Sequence, residues 1–315
     1  MTLFDRKGSE AARAAWLYYH EDLTQSDIAR ELGVSRSTVT RLLHRAKIEG
    51  LVQISLDVSS ATFKAERDIE RVFRVKKVRI VPESGDESTQ KRWLGYVAAE
   101  TLVEMMTAST TVAVSWGTTM QAMADSLIGP HPIPDAKIVA LIGGIHNATQ
   151  GTNTYEVTKK LGQYFNAPAI ALHAPVYVQD ETTALALAGD AGIQEVLELA
   201  RRASIIVFSL GGLHERATMF QLGYISLEQR EFLRTQGAVA DIACRWIDRD
   251  GRPVELPSSI NPISITLDEL KASPRRLAVA GGEGKHEAVL AGLRGGYITH
   301  LVTDERTAAA LLDHP

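Results

Sequence analysis

Two short stretches carry the residue types that hold a phosphate. In Ser115-Trp116-Gly117-Thr118-Thr119 a glycine turns the chain and two hydroxyls follow where a helix can begin. Backbone amides, hydroxyls and the positive end of a helix together bind an anion. In Gly281-Gly282-Glu283-Gly284-Lys285 the glycines let the backbone approach an anion and Lys285 brings charge. The second stretch lacks the G-x-x-x-x-G-K-[ST] spacing of a nucleotide P-loop. Either is also compatible with an ordinary strand-to-helix turn. Residues suited to hydroxyl groups lie elsewhere: Gly143-Gly144 with the polar stretch that follows to Asn153 and Glu156, the loop 209–212 with Gly211, and Asp241. A carboxylate in such a place accepts hydrogen bonds from sugar hydroxyls, or caps a helix. No closely spaced acid–base pair is evident. His131, His146, His173 and His286 stand isolated, the nine histidines show no ligand spacing, and neither a metal nor a cofactor is expected. The single cysteine, Cys244, excludes an internal disulfide and fits a reducing, cytoplasmic setting.

A third pattern is local and stricter. Thr24 with Asp27 three residues on is a helix start. Ile28, Ala29 and Leu32 give that helix an apolar stripe, and Gly33 takes the turn. Ser35 can cap a second helix, in which Val39, Leu42, Leu43 and Ala46 recur at i, i+3, i+4, i+7. Arg36, Ser37, Thr40, Arg41 and His44 fall on the opposite side, and with Ser35 they form a polar, cationic face suited to a major groove. Ala29 stands where two such helices cross. Upstream, Ala12, Ala15, Trp16 and Tyr19 suggest a first amphipathic helix; downstream, residues 51–56 alternate like the strand of a small wing. The expectation is a helix-turn-helix domain over 1–56.

These residues must be held by the other elements. Strands are expected at 78–81, 111–115, 137–142, 169–172, 204–209, 276–280 and 298–302, and helices at 91–106, 118–127, 153–165, 193–202, 226–235, 285–293 and 304–312. Short apolar strands alternating with helices imply βαβ units and an α/β fold, a doubly wound, mostly parallel sheet. Ligands then sit beyond the carboxyl ends of the strands, where the glycine-rich stretches fall. Asp250-Gly251 suggests an inserted hairpin between 244–248 and 253–255. The large domain is expected over 57–315, with a linker helix at 57–75. No run approaches the ~18 apolar residues of a membrane span. Net charge is −4; residues 1–56 contribute +1, leaving −5 on the remainder. A mildly acidic body is not expected to bind DNA itself, so binding is expected from the N-terminal unit in more than one copy.

Taken in order, 23–48 followed by Gly50-Leu51-Val52, 114–119, Leu141-Ile142-Gly143-Gly144, Ala174-Pro175, Asp241-Ile242-Ala243-Cys244-Arg245 and 280–285 resemble the SorC family (also called DeoR-like, sugar-binding) of bacterial transcriptional regulators over almost the whole length. The resemblance implies an effector domain similar to the sugar-phosphate isomerase and deaminase fold, a phosphorylated sugar as effector, and dimers and tetramers. By position, Gly117, Thr118, Thr119 and Lys285 would hold the phosphate; Asp241, with Asn153 and Glu156, would contact hydroxyls. Some relatives bind an aldehyde covalently through a lysine in the strand before the double glycine; here that strand ends Leu141-Ile142, so reversible binding is expected. The resulting expectation is a regulator, not an enzyme, of a carbohydrate or polyol catabolic operon. Its partners would be double-stranded operator DNA, a sugar, sugar phosphate or polyol, and further copies of itself in a homotetramer, with no membrane. The competing reading is a sugar-phosphate isomerase or deaminase fused to a DNA-binding domain.

Overall fold

The computed structural model describes residues 6–49, 51–52, 60–144, 154–282 and 284–313. The chain divides into two compact units, Met1–Asp57 with Leu127–His131, and Val58–Ser126 with Pro132–Pro315.

The first unit holds α1 (Arg6–Tyr19), α2 (Gln25–Leu32) and α3 (Arg36–Ile48). The Thr24 hydroxyl accepts the Asp27 N–H at 3.2 Å, and the Ser35 hydroxyl accepts the Thr38 N–H at 3.1 Å, so both helices begin at the expected caps. Gly33 ends α2 in the left-handed conformation, φ +65°. Val39, Leu42, Leu43 and Ala46 are buried with Ile28 against α1. The face of α1 differs from expectation. Ala11, Ala14, Ala15 and Leu17 are buried, whereas Ala12 is exposed and Trp16 is 51% exposed, stacked on His20. A run of alanines and aromatics satisfies the helical period in two phases, and the alanines win because they allow close approach to α3. The expected wing strand at 51–56 falls mostly outside the described residues.

The second unit runs α4 (Ser60–Phe73), β1 (Lys77–Val81), α5 (Glu87–Met105), β2 (Thr111–Val114), α6 (Thr118–Ser126), β3 (Lys137–Ala140), α7 (Thr154–Phe165) and β4 (Ala169–Ile170). It continues through β5 (Tyr177–Val178), α8 (Glu181–Gly189), α9 (Ala191–Arg201), β6 (Ile205–Phe208), β7 (Leu210–Gly212), α10 (Thr218–Gln221), α11 (Leu227–Thr235), β8 (Ala240–Ile242) and β9 (Arg245–Ile247). It ends with β10 (Asn261–Pro262), α12 (Leu267–Ala272), β11 (Arg276–Val279), α13 (His286–Arg294), β12 (His300–Asp304) and α14 (Glu305–Asp313).

Seven strands form one sheet in the order β1-β12-β11-β6-β2-β3-β4, every pairing parallel. All four residues of β6 are buried, which requires cover on both faces. Helix α6 packs between α5 and α7, which lie on the sheet; α4 and α14 pack on each other and on β1, and α9 packs on β2 and β3. From β2 the chain steps outward to β3 and β4; from β6 it steps the other way to β11 and β12. The adjacent pair β2/β6 is therefore the topological switch point, where open α/β sheets form a crevice.

A small antiparallel meander, β7-β8-β9, stands apart from the main sheet. It changes the expected hairpin. Residues 245–247 pair first with β8, and the Asp250-Gly251 turn closes only a short extension, in which Ile247 bridges Pro253 and the Val254 N–H reaches the Trp246 carbonyl at 3.0 Å. Helices α8, α10 and α12 were not expected; the first two contribute no long buried stripe and the third is six residues long.

Candidate functional site

On α3, Ser35, Arg36, Ser37 and Arg41 are exposed, and Thr40 and His44 half-buried. Two of the hydroxyls have structural work. Ser35 caps the helix, and the Thr40 hydroxyl lies 3.1 Å from both Gln25 Oε1 and the Arg36 carbonyl, tying α3 to α2. Arg41 rests one guanidinium nitrogen on the Thr38 hydroxyl at 3.2 Å and stays on the outer face.

In the second unit a cavity of about 730 Å³ opens at the switch point. Its described lining comes from just beyond the carboxyl ends of five neighbouring strands: β2 (Trp116 to Thr119), β6 (Ser209 to Gly211), β11 (Gly281, Gly282, Gly284, Lys285), β12 (Asp304, Arg306) and β1 (Glu83 to Gly85). Asp241 enters from the meander. The sequence-expected residues Gly117, Thr118, Thr119, Gly211, Asp241 and Lys285 therefore meet in one place.

Gly117 adopts φ +128°, a conformation side chains rarely take, and α6 begins at the next residue, so Thr118 and Thr119 stand at a helix N-terminus facing the cavity. Across from it, the Lys285 ammonium donates to the Leu210 carbonyl at 2.7 Å. Burial lowers the affinity of Lys285 for its proton, while the Asp241 carboxylate restores part of it. Asp241 is 7% exposed and lies flat against Gly211, where any Cβ would collide with its carboxylate. Burial pushes its carboxyl up to about 6, against the opposing pull of Lys285 and of the N–H groups of Cys244 and Gly211. The Cys244 N–H reaches Asp241 Oδ2 at 3.2 Å. Ala243 and Cys244 form the two-residue β8–β9 turn with both φ positive, +51° and +67°.

Other residues of the cavity carried no motif. Asp304, fully buried, accepts the Gly282 N–H and, at 2.7 Å, the Thr307 N–H, so one carboxylate fixes the glycine loop and caps α14. Gln90 pins the 82–84 loop through the Ser84 N–H at 2.6 Å and the Pro82 carbonyl at 3.1 Å. Lys91 pairs with Glu87 at 2.6 Å, and Arg306 pairs with Glu83. His214 and Arg216 also line the wall, and Trp116 forms an apolar side braced edge-on by Tyr224. A polar residue at a strand end was the available signal, and Asp304, the last residue of β12, meets it.

Gly143, Gly144 and Glu156 are not among the lining residues. Gly143 donates to the Ile263 carbonyl at 3.0 Å and is pressed against the Pro175 backbone; Gly144 donates to the Ala174 carbonyl at 2.7 Å. The glycine at 143 serves close backbone packing at the end of β3, whereas a Cβ at Gly144 would meet nothing nearer than 3.9 Å. Glu156 lies in the first turn of α7. Asn153 and the polar stretch before it fall outside the described residues. Leu141 and Ile142 are fully buried, and Lys91 and Lys285 are the lysines among the described lining residues. No group of acidic, histidine or cysteine side chains that could hold a metal occurs among the described residues. No described helix is long and apolar enough to cross a membrane.

Residues 58–313 match the family described as "Putative sugar-binding domain", and residues 7–54 match "Homeodomain-like domain". The chain is 32% identical over 306 residues to the transcriptional regulator LsrR of Klebsiella pneumoniae subsp. pneumoniae, covering 96% of this chain and 92% of the relative. It is 31% identical over 302 residues to the deoxyribonucleoside regulator of Bacillus subtilis, covering 95% and 96%. The fold of the full-length sorbitol operon regulator SorC from Klebsiella pneumoniae superposes with a TM-score of 0.74 at 24% identity, over 98% of this chain and 100% of that one. A DeoR family transcriptional regulator from Listeria monocytogenes gives 0.73 at 27% identity, over 80% and 100%.

Proposed function

The chain belongs to the SorC/DeoR-type family of transcriptional regulators with a sugar-binding domain and a helix-turn-helix, and from that premise we propose that a phosphorylated sugar or polyol in the switch-point cavity controls its grip on an operator. The observation that carries this reading is the convergence of the Gly117-Thr118-Thr119 helix start, Lys285 and Asp241 in one cavity. The α6 amides, the two threonine hydroxyls and the Lys285 N–H donors not given to the Leu210 carbonyl suit a phosphate. Asp241, acceptor-only when ionised, suits neighbouring hydroxyls. Binding is reversible in this reading, because the strand before Gly143-Gly144 ends in Leu141-Ile142 and not in a lysine.

The protein acts in the cytoplasm as a dimer or tetramer, and Arg36, Ser37, Thr40, Arg41 and His44, with Ser35 at the helix start, face the DNA. A pair of such helices reads half-sites about one helical turn apart, so an effector that prefers one arrangement of the pair changes affinity for the operator. The relatives are named as regulators, and turnover is no part of this reading.

The test is a thermal-shift screen of sugars, polyols and their phosphates, since a ligand of the native state raises its melting temperature. A phosphorylated member should stabilise the protein, be recovered unchanged, and lose its effect in Lys285→Ala, which retains DNA binding in a mobility-shift assay. A Lys285→Ala protein that responds at the same ligand concentration overturns the phosphate assignment, and conversion of the ligand restores the enzyme reading.

A further inference from the structure

The amino-terminal edge of the main sheet, opposite the cavity, carries charge that the cavity does not use. Lys77 opens β1, His300 opens β12 and Arg276 opens β11, and the register sets Lys77 beside His300 and His300 beside Leu277. The chain ahead of these strands adds Arg74, Lys76, Lys271 and Arg275. None of the six lysines and arginines forms an ion pair with a carboxylate among the described residues. Arg276 directs its donors to the carbonyls of Lys271, Ser273, Gly296 and Tyr297. Arg275 does the same with Met105 and Ser204, and Lys76 with Pro274 at 3.4 Å. Lys271 lies 4.3 Å over the Tyr297 ring. Carbonyls and rings orient a cation without cancelling its charge.

His300 marks the convergence independently. Its imidazole is held down to about 4, first by burial and then by the charges of Lys76, Arg275 and Arg276. The acids of the packed helix α4 are engaged elsewhere: Asp68 with Lys64 and Arg71, Glu70 with the Val78 N–H at 2.9 Å.

Lysines on an edge strand often serve to block edge-to-edge pairing. Here the β1 edge is already closed, because Glu70 accepts the Val78 N–H and Glu66 accepts the Ile80 N–H, both at 2.9 Å. The cations are not needed for that task. Crowded like charges repel and cost stability, so their clustering on a body of net charge −5 points to a polyanion. Residues 1–56, at +1 and with four basic residues between Gly33 and Ile48, supply few phosphate contacts.

We propose that this edge, at Arg74, Lys76, Lys77, Lys271 and Arg275, is a second DNA-binding surface that holds the phosphate backbone and reads no base. Four of these side chains, Arg74, Lys76, Lys77 and Lys271, are exposed. Local charge, and not the net charge of the body, decides its partner.

The experiment is a salt series of full-length protein binding a random-sequence duplex, read by fluorescence anisotropy. The slope of log K against log salt is about −0.9 per phosphate neutralised. The triple variant Lys76→Gln, Lys77→Gln, Lys271→Gln should shallow the slope by about 2 to 3 and weaken low-salt binding by at least roughly tenfold. Lys77→Glu alone, at an exposed position, serves if the triple variant fails to fold. An unchanged slope overturns the proposal. So does a slope change that follows a change in assembly mass by light scattering, which assigns the edge to an interface between copies. Binding of polyglutamate lost in the variant, with DNA binding intact, overturns it in favour of an acidic protein partner.

Discussion

Replacing Asp241 by asparagine should remove a pH dependence from the stability of the ligand-free protein. Asp241 is 7% exposed, and burial lifts its carboxyl from the ordinary 3.8 to about 6. Below about 3.8 the group is protonated in both folded and unfolded chains, and it costs nothing. Between 3.8 and about 6 the folded state binds more protons than the unfolded one, so stability falls as pH rises. Above about 6 the whole penalty is present. At about 1.4 kcal/mol per pH unit it amounts to ~3 kcal/mol, a sizeable part of the 5–15 kcal/mol that typically holds a domain together.

Asparagine keeps the shape and does not titrate. Urea unfolding of both proteins at a series of pH values gives the difference directly. The stability of the native sequence relative to Asp241→Asn should fall by ~3 kcal/mol between pH ~3.5 and ~7. Lys285 loses the Asp241 counter-charge in the variant and holds its proton less tightly still. A bound sugar that donates hydroxyls to the ionised carboxylate lowers its proton affinity. At pH ~6, calorimetry in buffers of different ionisation enthalpy should then show release of about half a proton per site. Parallel stability profiles for the two proteins would refute the reasoning, since the carboxylate would then be as well solvated folded as unfolded.

Other outcomes concern the reading helix. Arg41→Ala should weaken operator binding by ~1–3 kcal/mol in a mobility-shift titration if Arg41 meets a base edge; unchanged binding removes it from the reading face. Ser35→Ala removes the hydroxyl that accepts the Thr38 N–H and should lower thermal stability by about 1 kcal/mol, and an unchanged melting temperature would show the cap to be dispensable.

The helix-turn-helix was legible because its signals act within a few residues: Thr24 on Asp27, Gly33 at the end of α2, Ser35 on Thr38. The phase of α1 escaped, since which alanines face α3 is a tertiary choice. The parallel strands were legible as short apolar runs between helices. Their order was not, and order decides which loops meet. Gly143-Gly144 resembles Gly281-Gly282 in sequence, yet β3 lies on the outward side of the switch point and its end is packed by 174–176 and 263, whereas β11 lies beside β6 and its loop opens into the cavity. Asp304 and Arg306 gain their place from β12 lying between β1 and β11, a neighbourhood no local pattern encodes.

Two separate costs fall at the same spot. The β8–β9 turn needs positive φ at both central residues, a demand usually met by asparagine and glycine, but here Ala243 and Cys244 meet it. Left-handed conformations of such residues cost on the order of 1–3 kcal/mol each. The turn nevertheless holds because Cys244 gives its N–H to Asp241 and its carbonyl accepts the Tyr177 hydroxyl at 3.2 Å. The strain therefore supports a carboxylate that is itself poorly solvated. In the proposed reading, a ligand whose hydroxyls satisfy Asp241 offsets part of this cost, and does so only in conformations that keep the turn intact. That is the differential interaction a controlled equilibrium requires, because a ligand shifts two states only by the difference in its free energy with each.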